Sequence, residues 1–501
     1  MIDLNDVLET CSEMNTFESS KTSVEALKIF ASIEQKKLDL ELDDYVDSSK
    51  LINYWKAIID RQFESIEKAK YEGGKPDEER MIYSGYCEEL GRIYTDVDTE
   101  YQLGKEQFQE AFKYNSNKLN IHLEIAEIDY MMGNFEEAES TAQKVLKSEP
   151  QNPWALRLFG ECLMVRGEVE RGIKGFKKVY KRDTTNFTAL GMLISFLRLD
   201  GKLDIVKKML EQVIEKLGGT EEPGLCYCRG LYLFYRKNPG GALQEFQKAS
   251  KNPLYRKSSL RHMIDIYLNP NQGVYYNPDN NVVFPIAADN FESMEILLEE
   301  IDLKYFAEEK AVLSTYVNGL YKNLLKDGIT FMGSVIQERP TFTPALLCSA
   351  VLSAKNGAID KKILRDISKL PWNPRWLEDS ERGTLHVADF LISAGKFDHA
   401  EKELKRCIKN NKSSLKAMEF MGELYQKKEN FEAAWNCYNR AWDISEKKDC
   451  WVGYRIAQLY FQKGNWVRSI SIGNHVTFLD FLTLLDFEGE SLVSKDQRSD
   501  Y

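Results

Sequence analysis

The amino-acid sequence predicts an all-α protein, an α-solenoid superhelix built from stacked antiparallel helix pairs. Three observations support this prediction. Glycines recur at a constant spacing at Gly133, Gly167 and Gly201, and each is followed by an amphipathic segment such as GNFEEAESTAQKVL. Small residues recur at fixed distances from these glycines. The chain has 501 residues, which is longer than one compact core usually supports.

The repeating unit begins fourteen residues before each glycine, at Leu119, Pro153 and Phe187. Its eighth and twentieth positions must be small because the two helices of a unit approach closely there. The glycine lies between the helices, where the chain needs a left-handed conformation that glycine adopts easily. The spacing matches the period of about 34 residues of the tetratricopeptide helix-turn-helix unit. Further units begin at Pro223, Glu381, Leu415 and Cys450.

Small residues and turn glycines occupy the corresponding positions of all seven units. These structural repeat positions are Ala126, Gly133, Ala138, Gly160, Gly167, Gly172, Gly201, Gly230, Ala242, Ala388, Gly395, Ala400, Gly422, Ala434, Ala457 and Gly464. Each unit alone would expose an apolar face, so stacking of neighbours is expected to stabilise the fold.

Regular repeats alternate with segments in which the register is weak or interrupted by Asn, Pro and Gly. The pattern also fails near the C-terminus, which is expected to leave the apolar edge of the last unit uncapped. The predicted segments are degenerate helical repeats at 1–118, tetratricopeptide repeats at 119–267, an irregular loop at 268–290, degenerate helical repeats at 291–380, tetratricopeptide repeats at 381–470 and a divergent C-terminal tail at 471–501.

Composition argues against several classes of function. The formal net charge of −11 disfavours binding to nucleic acids or to anionic membranes, which requires basic faces. No stretch has the roughly 20 apolar residues of a membrane helix, so no direct membrane insertion is expected. The first residues lack the features of a secretory signal. Nine cysteines without framework spacing indicate a reducing compartment.

Motifs for chemistry are missing from the sequence. The stretch GGKPDEER, from Gly73, has proline where a phosphate-binding loop needs serine or threonine. A calcium-loop-like stretch has Tyr101 where glycine is required. The five histidines do not show metal-ligand spacing. We therefore expect a protein that is not an enzyme, with no cofactor, no metal and no small-molecule substrate.

The inner face of the first helices is the expected binding surface of such an array. Some tetratricopeptide domains bind a peptide carboxylate through Lys and Asn at the fifth and ninth positions of a unit. None of the seven units has this pair, and glutamates such as Glu127 and Glu161 disfavour a carboxylate ligand. Apolar residues on the nominal inner face are candidate partner-binding residues, although helical aromatic residues are more often part of a core. These candidates are Tyr130, Met131, Trp154 and Met164.

The amino-acid sequences of the units and of the segments between them resemble those of one family. The carrying stretches include ALRLFGECLMVRGEVERGIKGFKKV, GLCYCRGLYLFYRKNPGGALQEFQKA, HMIDIYLNPNQ, PWNPRW and LHVADFLISAGKFDHAEKELKRCIKNNKSSLKAMEFMGELYQKKENFEAAWNCYNRAW. From about Leu119 to Trp466 the chain resembles the C-terminal half of the tetratricopeptide-repeat protein 21 family. Family members are much longer on the N-terminal side.

The resemblance implies a non-enzymatic scaffold subunit of intraflagellar transport complex A. Such a subunit would contact the other subunits of the complex and support retrograde ciliary transport and ciliary protein trafficking. Its expected locations are the cilium or flagellum, the basal body, the cytoplasm and the cytoskeleton. Two alternatives stay open: a tetratricopeptide scaffold of another multisubunit assembly, such as a ubiquitin-ligase complex, and the regulatory arm of an enzyme.

Overall fold

The structure is a computed structural model, and its regular secondary structure is helical throughout the part that it describes. The described residues are 24–39, 48–72, 76–96, 100–116, 118–219, 221–236, 238–268, 288–300, 307–357 and 360–477. The chain divides into two compact units, one made of Met1–Cys162 with Leu303–Tyr305, and the other of Leu163–Asp302 with Phe306–Tyr501. An all-α solenoid is therefore confirmed as the fold class.

Seven of the described helices belong wholly or partly to the first unit. They are α1 (Val24–Asp39), α2 (Ser48–Glu72), α3 (Pro76–Asp96), α4 (Tyr101–Tyr114), α5 (Leu119–Met131), α6 (Phe135–Ser148) and α7 (Pro153–Val165), the last of which ends in the second unit. Each helix from α1 to α5 packs against the next one in the chain. Helices α2 and α3 are longer than the repeating unit allows, which explains why residues 1–118 lack the period.

The second unit contains the remaining described helices, in the order of the chain. They are α8 (Val169–Arg182), α9 (Phe187–Leu199), α10 (Asp204–Lys216), α11 (Pro223–Tyr235), α12 (Pro239–Ala249), α13 (Pro253–Leu268), α14 (Ala288–Glu299), α15 (Ala307–Tyr321), α16 (Leu325–Glu338), α17 (Thr343–Lys355), α18 (Lys361–Lys369), α19 (Leu377–Ser393), α20 (Phe397–Asn410), α21 (Leu415–Lys427), α22 (Phe431–Ile444), α23 (Cys450–Gln462) and α24 (466–477).

The first helices of the regular repeats start where the period places them. Helices α5, α7 and α9 begin at Leu119, Pro153 and Phe187, the first residues of the three predicted units. Local sequence signals fix several of these starts. The side chain of Asn186 accepts a hydrogen bond from the N–H of Ala189, at 2.9 Å, and so caps α9.

The turn glycines have the left-handed backbone that the period requires. Gly133 has φ +86°, Gly395 has φ +69° and Gly464 has φ +73°, each between two helices of a pair. At the equivalent position of the unit from Leu415 the residue is Glu429, which has φ +58° without the conformational freedom of glycine. The turn is therefore kept even where glycine is replaced.

Small residues lie where an aromatic ring crosses the helix pair. A Cβ atom added at Gly422 would lie 2.7 Å from Cε1 of Tyr438, and one added at Gly230 would lie 2.7 Å from Cε1 of Phe246. Ala434 is fully buried within the same core as Tyr438. The close packing of aromatic rings on glycines gives the small positions their physical reason.

The last helix continues beyond the point where the sequence pattern fails. Helix α24 runs through residue 477, and Val476 near its end is only 8% exposed and packs in the core of α21–α24. The predicted loop at 268–290 overlaps α13 and α14 at its two ends, and its residues 269–287 lie outside the described part. Residues 478–501 of the predicted tail also lie outside it.

Candidate functional site

The inner face of the first unit carries a small polar cluster on α5 and α7. The indole Nε1–H of Trp154 donates to Glu127 Oε2 at 3.2 Å. Arg157 donates to the same oxygen at 3.2 Å and to Glu161 Oε1 at 2.8 Å. The Trp154 ring also packs against the buried cluster around Leu123. Trp154 is therefore held in a fixed orientation, half-buried, with its polar edge satisfied within the chain.

The other predicted partner-binding residues are in different surroundings. Tyr130 is only 3% exposed, and its ring lies edge-on against Phe135 with 5.2 Å between the ring centres. It contributes to the core of α5 and α6 and does not present its ring to a partner. Met131 and Met164 are half-buried, and Met164 belongs to the second unit. A partner-binding role for Met131, Trp154 and Met164 stays a prediction.

The second unit brings together charged residues that are far apart in the sequence. Arg198 lies near the end of α9, and its side chain is 9% exposed. Its guanidinium donates to Glu378 Oε1 at 2.7 Å and to Glu381 Oε2 at 2.8 Å, both in the first turns of α19. The guanidinium carbon lies 4.2 Å from the centre of the Tyr235 ring. Arg198 therefore ties α9 and α11 to α19.

A second set of ion pairs lies beside the first and joins α13 to α19. Arg261 donates to Asp379 Oδ2 at 3.1 Å and to the carbonyl oxygen of Arg375. Arg382 pairs with Asp265 and, at 3.0 Å, with Asp379 Oδ1. Arg382 Nε also donates to the carbonyl oxygen of Glu378 at 3.4 Å, which joins these pairs to the contacts of Arg198, and we call the whole set the inner ionic network. Its residues are Arg198, Arg261, Asp265, Glu378, Asp379, Glu381 and Arg382.

The loop after α20 satisfies the free carbonyl groups at the end of α9. The N–H of Lys412 donates to the Leu199 oxygen at 3.1 Å, and the Ser413 hydroxyl donates to the Arg198 oxygen at 2.8 Å. The ammonium of Lys412 also pairs with Asp200 at 2.8 Å. Since the last carbonyls of a helix lack partners within the helix, this loop acts as a distant C-cap for α9.

Burial and charge set the ionisation of this network. Burial alone would raise the pKa of Glu378, but the positive charges of Arg198, His262 and Arg261 together override it and lower that pKa to about 2. Burial lowers the pKa of His262 to about 4, so this histidine is neutral at pH 7. Its ring stacks on Phe246 with 5.0 Å between ring centres. Glu378 is therefore ionised near neutral pH, whereas burial raises the pKa of Asp265 to about 6, so Asp265 takes up a proton in mildly acidic solution.

The space beside the network is too small for a substrate. The cavity has a volume of about 40 Å³, which accommodates a few water molecules at most. Cys348 lines it, and burial raises the pKa of this thiol well above its usual value, so it stays protonated and unreactive. Within the described residues, acidic, histidine and cysteine side chains do not assemble into a group able to hold a metal ion. The contacts of the network join α9, α11 and α13 to α19.

These contacts correct one expectation from the sequence. The inner face was expected to be continuous and open to partners, but in the second unit the start of α19 occupies part of it. Among the residues at the fifth and ninth positions of the seven units, Tyr454 alone has more than half of its surface exposed, at 53%. In this unit, much of the inner surface serves contacts within the chain.

Sequence analysis missed the inner ionic network, although one signal was present. Arg198 stands in FTALGMLISFLRL, where it is the only charged residue of a 13-residue helix. A charged residue in an otherwise apolar helix usually requires a buried partner. The identity of that partner, 180 residues away, could not be deduced from the period.

Comparison with models of protein families shows to which family the chain belongs. The model of the tetratricopeptide repeat protein 21 C-terminal ARM domain matches residues 293–480, and that of the fifth ARM repeats domain of the same protein matches residues 155–268. Together they match more than half of the chain. The chain belongs to the tetratricopeptide repeat protein 21 family. The resemblance seen in the sequence is thereby confirmed.

Curated relatives agree with this family assignment. Tetratricopeptide repeat protein 21B of Xenopus laevis is 26% identical over 417 residues, which cover 79% of this chain and 32% of the relative. Tetratricopeptide repeat protein 21A of Homo sapiens is 27% identical over 423 residues, which cover 79% of this chain and 31% of the relative. The chain of this family member thus spans about a third of the length of these relatives.

Among solved structures, the crystal structure of the APC/C hetero-tetramer Cut9-Hcn1 aligns with a TM-score of 0.37 and 10% identity, covering 83% of this chain and 89% of that one. Yeast Tom70 aligns with a TM-score of 0.34 and 14% identity, covering 83% and 97%. Among the residues that the structure describes, the helices are too short or too polar to cross a membrane. Fold and family indicate a scaffold of the tetratricopeptide type.

Proposed function

We propose that this chain is a non-enzymatic scaffold subunit of intraflagellar transport complex A. It would hold other subunits of the complex through protein–protein contacts. In this role it would support retrograde transport and protein trafficking in the cilium or flagellum, and it would be located there and at the basal body, and in the cytoplasm and cytoskeleton. The observation that carries the proposal is membership of the tetratricopeptide repeat protein 21 family across both matched ARM domains.

The structure is compatible with a scaffold in two respects. Its helix pairs present extended side-chain surfaces, and the charged cluster that could suggest chemistry is fully engaged in joining α9, α11 and α13 to α19. The cavity beside that cluster has room only for water. Arrays of helix pairs suit several simultaneous contacts with other proteins.

The test is affinity purification of the tagged full chain from ciliated cells, followed by quantitative mass spectrometry. We expect enrichment of the other complex A subunits, together with fluorescence of the tagged chain at the base and along the length of cilia. The control is a tagged tetratricopeptide protein of similar length from another assembly, expressed at the same level. Recovery of ubiquitin-ligase subunits, or of the bait without complex A subunits, would refute the proposal.

A further inference from the structure

An exposed group of large apolar side chains lies on the last two described helices, α23 and α24. Their exposed fractions range from 52% for Trp451 to 80% for Val467. Large apolar side chains of monomeric proteins are usually scattered singly, so six of them on two consecutive helices are informative. We call this set the C-terminal aromatic face, and it consists of Trp451, Tyr454, Phe461, Trp466, Val467 and Ile470.

The aromatic rings of this face are held by one another. Trp451 and Tyr454 are stacked with 5.9 Å between ring centres and 27° between planes. Phe461 and Trp466 meet edge to face at 4.6 Å and 86°. The guanidinium of Arg455 lies 4.4 Å from the centre of the Trp451 ring. Rings fixed in this way lose little conformational entropy on binding, which is a property of aromatic anchor residues at interfaces.

The same repeat positions are covered in an earlier unit. Tyr454 and Phe461 occupy the fifth and twelfth positions of the unit from Cys450. The equivalent residues of the unit from Glu381 are Leu385 and Ile392, which are each 3% exposed and pack in the core of α19–α21. The C-terminal aromatic face therefore keeps open a surface that the fold buries elsewhere.

The chain itself shows what chemistry binds the inner face of a unit. The first turns of α19 carry the acidic residues Glu378, Asp379 and Glu381, and these pair with Arg198 and Arg261 of the α9 and α13 helices. Acidic residues at the start of a helix thus pair with cations of two other helices within the second unit, beside the reversed pair of Arg382 with Asp265. This internal contact provides a structural precedent for the occupant of an open inner surface.

The charge of the last helix pair matches the same kind of occupant. Residues 450–477 do not include any Asp or Glu, although the whole chain has 78 of them. They include three strong cations, Arg455, Lys463 and Arg468, of which Lys463 and Arg468 are exposed. A partner with carboxylates beside its apolar side chains would complement this surface in both shape and charge.

We propose that the C-terminal aromatic face binds an amphipathic helix of another protein, with apolar side chains that fill the aromatic surface and carboxylates that pair with Arg455, Lys463 and Arg468. This mode of recognition places an apolar helix face on an exposed groove or surface. The inference deepens the proposed scaffold function by naming the chemistry of a partner. Its test uses purified components, so its failure would leave membership of complex A to be judged separately.

The experiment measures fluorescence anisotropy of labelled designed helices with the full chain. One peptide has leucine at i, i+3, i+4 and i+7 and glutamate at the remaining positions, and a second has lysine in place of every glutamate. We expect saturable binding of the glutamate peptide and much weaker binding of the lysine peptide. Tyr454→Ala and Trp466→Ala should each weaken binding about tenfold or more.

Three controls distinguish specific recognition from non-specific hydrophobic binding. Arg468→Glu should weaken binding of the glutamate peptide and strengthen binding of the lysine peptide, because it reverses the charge beside the C-terminal aromatic face. Met81→Ala removes a 61% exposed side chain in the first unit and should leave binding unchanged. Urea midpoints equal to that of the parent chain should show that each variant is folded.

Four results would overturn the proposal. The first is equal binding of the glutamate and lysine peptides, and the second is an absence of saturable binding to the glutamate peptide. The third is concentration-dependent dimerisation of the chain, measured by sedimentation velocity and abolished by Trp466→Ala, since a second copy would then occupy the face. Retained affinity in both alanine variants would count equally against it.

Discussion

Replacing Arg198 by methionine tests whether the inner ionic network holds the second unit together. The side chain is 9% exposed and makes two charge-assisted hydrogen bonds, to Glu378 at 2.7 Å and to Glu381 at 2.8 Å. Methionine fills a similar volume but leaves both partly buried carboxylates without their cation. The loss of one partner from a buried ion pair destabilises a protein by about 3–5 kcal/mol. We expect a loss of this size in Arg198→Met.

The pKa of Glu378 shows how the contribution of this carboxylate depends on pH. It is lowered from 4.5 to about 2 because the positive charges of Arg198, His262 and Arg261 together outweigh burial. Since the folded-state pKa is depressed, the stabilisation from this carboxylate is present above pH 4.5 and is lost as the pH falls towards 2.

The loss of stability should depend on pH. Without Arg198, less positive charge opposes burial, so the pKa of Glu378 should rise and its carboxylate should take up a proton more readily in the folded variant. The difference in stability between the parent chain and the variant should therefore be larger at pH 7 than at pH 5. The measurement is urea unfolding followed by circular dichroism, at pH 7 and at pH 5.

A triple variant serves as the matched control. Arg198→Met combined with Glu378→Gln and Glu381→Gln removes the uncompensated charges, and most of the lost stability should return, because well-packed neutral groups can replace a buried ion pair at little cost. The reasoning is refuted if Arg198→Met costs less than about 1 kcal/mol at pH 7. It is also refuted if the triple variant is as unstable as the single one.

Three further predictions concern packing, protonation and the turns. Gly422→Ala should destabilise by about 1–3 kcal/mol because its Cβ would lie 2.7 Å from Tyr438, whereas Gly175→Ala, with open space around it, should stabilise by about 0.5–1 kcal/mol; both are read from thermal midpoints. Burial lowers the pKa of His386 from 6.5 to about 4, so the stabilising contribution of its neutral ring is lost as the pH falls from 6.5 to 4. In His386→Gln the urea midpoint of unfolding should therefore change less with pH over that range. An unchanged pH dependence of the midpoint would exclude His386 as the cause. Glu429→Gly should stabilise by about 0.5 kcal/mol because φ is +58° there, and a lower unfolding midpoint would contradict that account.

Features that depend on near neighbours could be predicted from the sequence. The turn at Gly133 and the close contact at Gly422 each involve residues of a single helix pair, so the repeat period is enough to locate them. The starts of α5, α7 and α9 follow for the same reason, since each combines a turn signal with an apolar pattern. Local backbone preferences and tight helix contacts are encoded within one repeat.

The inner ionic network could not be predicted because it depends on accumulated angles between many repeats. The period specifies which residues of adjacent units meet, but Arg198 and Glu378 are separated by 180 positions. In addition, α19 begins at Leu377, before the unit from Glu381, after a short 3₁₀ turn at Pro374–Trp376. The extra first turn of α19 contains Glu378 and Asp379, which lie outside the repeat register. A repeat-based alignment therefore misses both acidic residues.

The use of the inner face within the chain changes where a scaffold of this kind can hold its partners. In the second unit, α19 and the loop after α20 contact α9 and α13 through paired charges, so a partner could bind there only by displacing buried ion pairs. Breaking such pairs costs several kcal/mol, which would have to be offset by new contacts. Binding to the C-terminal aromatic face does not require ion pairs to be broken, because its rings are already exposed. Recognition in this unit should therefore concentrate on surfaces that the chain leaves open.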